Sequence, residues 1–177
     1  MMGLEKKYVL DANAFIQPKR KFYTFDICPG YWDALIWHHT KGTLCSIDRV
    51  AKELERGADD LWQWADSKLP ETFFDSTDSI EVVAFYRHVI GWVQAHPQFS
   101  TEAKAEFADA DRADAWLIAY AKATGRALMT LEEFDPFIRK RVPIPNVCQF
   151  TAVGVECVTI FEMLRGLKTQ FIWKPPT

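Results

Sequence analysis

The chain has 177 residues, 49% hydrophobic and 25% charged, as expected of a folded domain with a real core rather than a disordered or fibrous chain. Its net charge of −3 argues against tight nonspecific coating of nucleic acid but leaves room for a local basic patch. No apolar run reaches the ~18 residues of a membrane helix.

The N-terminal Met-Met-Gly-Leu-Glu-Lys-Lys has no signal-peptide h-region, and Met2 stands where myristoylation needs glycine. Cys28, Cys45, Cys148 and Cys157 form no CxxC pair, so isolated, mostly buried thiols in a reducing cytoplasm are expected. Seven Trp and thirteen Phe are many for this length and point to a self-association surface, with a homodimer the expected form.

Residues 7–10 read as a short buried strand, because their apolar side chains do not alternate with polar ones. Pro29 starts a helix to about His39, ended by Gly42. Leu44–Ile47 is a second strand, and Asp48 is placed to cap a helix that carries Val50, Ala51 and Leu54 and stops at Gly57. A short helix over 61–65 ends before Pro70. Residues 79–95 have helical apolar spacing, and Pro97 breaks them off. Thr101 begins a helix to Gly125, residues 127–130 form a third strand, and 147–150 a fourth, set off by Pro143 and Pro145. A last helix covers 154–166, and the tail from Trp173 is loose. Strands interleaved with helices predict one three-layer α/β domain over 1–177, with a central parallel sheet, a core at about 7–166 and a tail at 167–177.

Within that frame, carboxylates carry the chemistry. Asp11 closes the first strand and Glu132 follows the third, so both lie at the carboxyl edge where open parallel sheets bind ligands. On the expected helix 101–124, Asp114 shares a face with Phe107, Ala110, Leu117, Ile118 and Ala121. Asp111 lies one turn earlier, placed to assist it. Glu53 borders the buried face of its own helix. Carboxylates at buried positions are costly without a compensating cation, and Mg²⁺ and Mn²⁺ prefer such oxygen ligands. The bland readings are a turn or cap for Asp11 and solvated surface charges for Glu53, Glu132 and Glu133.

The ordered series Tyr-Val-Leu-Asp11-Ala-Asn13, Val50-Ala-Lys-Glu53-Leu54, Ala-Asp114-Ala-Trp-Leu-Ile-Ala and Leu-Met-Thr130-Leu-Glu132-Glu133-Phe resembles the motifs of PIN domains, from residue 7 to about 160. The resemblance implies a sheet of four to five parallel strands and a Mg²⁺- or Mn²⁺-dependent endoribonuclease. Many such proteins are VapC-like toxins paired with an antitoxin protein. It further implies that Asp11, Glu53 and Asp114 hold the metal, with Glu132 as the fourth carboxylate. Asn13 would orient Asp11 or the attacking water, and Thr130 would support the fourth motif. The family commonly has Asp where this chain has Glu132, a difference of one C–C bond or ~1.5 Å, which bears on a second metal. The segment 57–100, with Trp62, Trp64 and Trp92, is longer than in compact members and points to a larger subgroup.

Lys19-Arg20-Lys21 and Arg139-Lys140-Arg141 lie near the same edge and could line an RNA backbone path, or be solvated loops. Tyr23, Trp32 and Trp116 are candidates for base stacking, though Trp116 fits the core better. No His pair has zinc spacing, and no Gly-rich phosphate loop or GxSxG elbow occurs. Two other functions remain open. An Asp-nucleophile phosphotransferase would want Asp at the position of Asn13, and a catalytically silent PIN-like binding module would bind partners without metal.

Overall fold

The computed structural model describes residues 5–150 and 152–175; the expectations for Met1–Leu4 and for the last two tail residues lie outside that range. Strands Tyr8–Leu10 (β1), Leu44–Ile47 (β2), Phe74–Asp75 (β3), Ala127–Met129 (β4) and Cys157–Val158 (β5) form one sheet in the order β3-β2-β1-β4-β5. Every pairing is parallel, with Tyr8 opposite Leu44 on one side and Ala127 on the other. In β1, β2 and β4 every residue is buried, the condition of strands covered on both faces.

Helices Asn13–Gln17 (α1), Pro29–Thr40 (α2), Asp48–Gly57 (α3), Asp60–Lys68 (α4), Ile80–Ala95 (α5), Thr101–Phe107 (α6), Asp114–Thr124 (α7), Ile144–Cys148 (α8) and Ile160–Gly166 (α9) connect and flank the strands. The chain reverses its walk across the sheet after β3; α2 packs on α4 through Trp32 and Trp64, and α5 packs on α7 through Tyr86 and Trp116. The molecule is thus the expected α/β domain, with a five-stranded parallel sheet between helical layers.

Four expectations are corrected. The helix over 101–125 is two helices, α6 and α7. Asp109 accepts a hydrogen bond from the Asp111 amide (3.0 Å), and this side-chain turn competes with the helix and breaks it. Residues 147–150 are not a strand, because Pro145 sits in the first turn of α8, where a fixed φ favours a helix. The helix expected from 154 starts only at Ile160, because 157–158 is recruited as β5; Thr159 and Glu162 then form a reciprocal capping box. Asp48 is the first residue of α3 rather than its cap, and it accepts a hydrogen bond from the Thr77 hydroxyl instead (2.9 Å).

Two features escaped the sequence. A π-helical turn over Pro18–Phe22 follows α1, and β3 is too short to show a pattern. The cysteines are free, but Cys148 and Cys157 are neighbours rather than isolated, and the contact between the thiols together with burial raises Cys148 well above the ordinary thiol range.

Candidate functional site: a carboxylate cleft at the sheet's carboxyl edge

The strand order reverses between β1 and β4, which in open α/β sheets opens a crevice at the carboxyl ends of those two strands. Asp11 follows β1 and Thr130 follows β4, so both stand at this crevice. Asp11 is 4% exposed. Its Oδ2 accepts hydrogen bonds from Asn13 Nδ2 (3.1 Å) and Thr130 Oγ1 (3.0 Å). The Thr130 hydroxyl, whose bond to Asp11 ties the ends of β1 and β4 together, also accepts from the Glu132 amide (3.1 Å). Asn13 and Thr130 therefore both hold Asp11 in place.

Asp114 is the first residue of α7, not a residue in the middle of a long helix. Leu117, Ile118 and Ala121 still continue its face into the core, and a carboxylate at a helix N-terminus is favoured by the helix dipole. Among the described residues its carboxylate has no hydrogen-bond partner. Glu53, half-buried on α3, uses Oε1 to accept from the Ala113 amide (3.1 Å) and so caps α7 from a neighbouring helix. Glu132 has both oxygens engaged, one by Arg141 and one by the Ile144 amide (2.7 Å). Asp111 is exposed in the turn before α7 and lines neither cleft described below, so it is not placed to assist Asp114.

The electrostatics follow from this crowding. Burial raises Asp11 to about 6; the hydrogen bonds from Asn13 and Thr130 oppose the rise, and the charges of Glu132 and Glu53 add to it. Asp114 rises to about 7, first through burial and then through Asp11, Glu132 and Glu53, against the nearby Arg112. Negative charge is concentrated here beyond what the protein's own cations neutralise.

Two clefts meet at Glu132 and Arg141. One, of about 320 Å³, is lined by Glu106, Arg112, Asp114, Glu132 and Arg141 among others. The other, of about 810 Å³, is lined by Asn13, Lys21, Glu132, Glu133 and Arg141 among others. Of the residues expected to meet RNA, Lys21 and Arg141 line this region. Lys19 instead pairs with Asp59 and Asp60. Arg20, Arg139 and Lys140 are exposed but line neither cleft.

Arg112, which paired chemistry with no sequence motif, stands at the mouth beside Asp114, its Nη1 held by Glu106 (2.6 Å). The aromatic candidates are structural. Trp116 stacks on Tyr86 (3.8 Å between centroids), Tyr23 on Tyr31 (4.9 Å), and the Trp32 indole donates to the Tyr23 carbonyl (2.7 Å).

Among the described residues, no three His, Cys, Asp or Glu side chains gather into a ready metal cage. The partners explain this: Glu53 is turned to Ala113 and Glu132 to Arg141 and Ile144. The donors nevertheless suit a hard divalent cation. They are all oxygens, they repel one another, and the partly buried Asp114 carboxylate is left without a partner.

Fold and site together define a parallel α/β domain with a carboxylate-lined crevice at its topological switch point. Residues 8–171 match the family profile DUF4411, a domain of unknown function, and the chain belongs to that family. A comparison with curated proteins found no match.

Proposed function

We propose that this protein is a PIN-like, Mg²⁺- or Mn²⁺-dependent endoribonuclease. The observation that carries the proposal is Asp114: a carboxylate without a hydrogen-bond partner among the described residues, raised to about 7 beside Asp11, Glu53 and Glu132 at the sheet's switch point. A bound cation would supply Lewis-acid activation of an attacking water and neutralise charge on the leaving oxygen. Asp11, Glu53 and Asp114 would hold it, with Glu132 as a fourth carboxylate. Asn13 and Thr130 keep Asp11 in one orientation, a positioning role. Lys21, Arg112 and Arg141 ring the crevice and would meet backbone phosphates. A VapC-like toxin role, with an antitoxin partner and a homodimeric form, belongs to the same proposal.

The test is cleavage of a mixed single-stranded and structured RNA pool with Mg²⁺, Mn²⁺ or EDTA, beside the Asp114→Asn variant. Cleavage that needs metal and is lost in the variant is expected. Undiminished cleavage by a folded Asp114→Asn protein would remove Asp114 from the mechanism. A second reading, a silent binding module, is favoured by the engagement of Glu53 and Glu132 with backbone amides. It requires no hydrolysis with either metal, together with metal-independent binding of a partner.

A further inference from the structure

The strand-edge carboxylate Glu132 is long enough to do what an Asp at its position would not. Its side chain reaches across to the 141–144 segment, where Arg141 holds one oxygen and the Ile144 amide the other. The Glu132 side chain is 18% exposed and lies beneath Arg141, which is 55% exposed. Arg141 lines both clefts, and Glu132 forms the wall they share. The guanidinium is therefore the part of this pair that an incoming polyanion meets first. An ion pair this accessible to water is weak; Arg141 meets Glu132 through a single oxygen, and a phosphate offers the guanidinium a bidentate partner instead.

We propose that Arg141 is a latch that keeps the Glu132 carboxylate from joining Asp11 and Asp114 as a cation ligand until the backbone of an RNA strand takes the guanidinium away. This rests on the nuclease reading above and concerns how its site is regulated by substrate. In the latched form Glu132 is spent on protein donors, as Glu53 is on the Ala113 amide. Phosphate binding at Arg141 frees one Glu132 oxygen, and the side chain turns from the Ile144 amide toward Asp11 and Asp114. The site is then completed only when substrate is present, and the extra methylene of Glu132 is what permits the two positions.

The test is Mn²⁺ binding, measured by calorimetry and by the electron paramagnetic resonance of free Mn²⁺, so that no turnover is needed. Wild type, Arg141→Gln, Glu132→Gln, the double variant and Asp114→Asn are compared, each without and with a phosphorothioate hexathymidylate as strand probe. Thermal unfolding confirms that each variant is folded.

Without the probe, Arg141→Gln should bind Mn²⁺ about fivefold more tightly than wild type, the factor that a half-exposed ion pair can hold back. In the Glu132→Gln background the Arg141 substitution should change little, and with the probe the gap between wild type and Arg141→Gln should close. Equal tightening in both backgrounds would mean that Arg141 acts only as a nearby positive charge, and would overturn the latch. A gap that persists with the probe would overturn release by the strand. If Mn²⁺ binds wild type and Asp114→Asn alike, or binds no variant, the nuclease reading falls and the latch with it.

Discussion

Asp11 and Asp114 set the chemistry at the scale of single residues. In the unfolded chain both titrate near the ordinary value of about 4. In the folded protein they hold protons to about 6 and about 7. As pH rises through that interval the unfolded carboxyls ionise first, so the metal-free native state loses stability toward neutral pH. We expect the EDTA-treated protein to melt higher at pH 5 than at pH 8. Asp114→Asn should flatten that dependence and raise the melting temperature at pH 8, a gain of about 1–4 kcal/mol. Scanning calorimetry at the two pH values checks this. An identical pH dependence in variant and wild type would show that Asp114 is not the strained group.

At the scale of elements, close packing around α7 and α9 holds the site in place. Trp116 stacks face to face on Tyr86 of α5, donates its indole N–H to the Ala110 carbonyl (3.1 Å) and lies beneath the Arg49 guanidinium. Trp116→Ala should cost about 3–5 kcal/mol by denaturant unfolding, and by loosening α7 it should also weaken the proposed RNA cleavage. Gly166 closes α9 directly against the Tyr8 phenol of β1, where a Cβ would collide with the hydroxyl. Gly166→Ala should therefore cost about 1–3 kcal/mol, because Tyr8 is buried in the sheet and has little room to yield. An unchanged midpoint in urea would show that the ring moves aside freely.

For the whole molecule, binding of the proposed cation would be coupled to stability. A ligand at about a hundred times its dissociation constant adds ~2.7 kcal/mol to the folded state, and each kcal/mol moves the melting temperature of a chain this size by about 2–4 °C. Mn²⁺ should therefore raise the melting temperature by about 5–10 °C in wild type and leave Asp114→Asn nearly unmoved, as differential scanning fluorimetry would read. A shift of the same size in both proteins would place the ion elsewhere. Among the described residues no helix is long and apolar enough to cross a membrane.

The sequence by itself determined the α/β class, because short apolar runs without alternation, such as Tyr8-Val9-Leu10, are interleaved with segments of helical apolar spacing. It also placed Asp11 and Glu132 at one edge, since in a parallel sheet every strand ends on the same side. Its local signals failed where two devices competed. The apolar period continued through 108–113 although the Asp109 side chain ended the helix, and the prolines near 145 read as strand borders although they start α8. Only the tertiary structure decided the partners: Glu53 on Ala113, Lys19 on Asp59 and Asp60, and Arg141 on Glu132. These pairs join residues distant in sequence through side chains whose rotamers follow from the packed surroundings. No spacing along the chain encodes which donor a carboxylate will face once the sheet has brought its strand ends together.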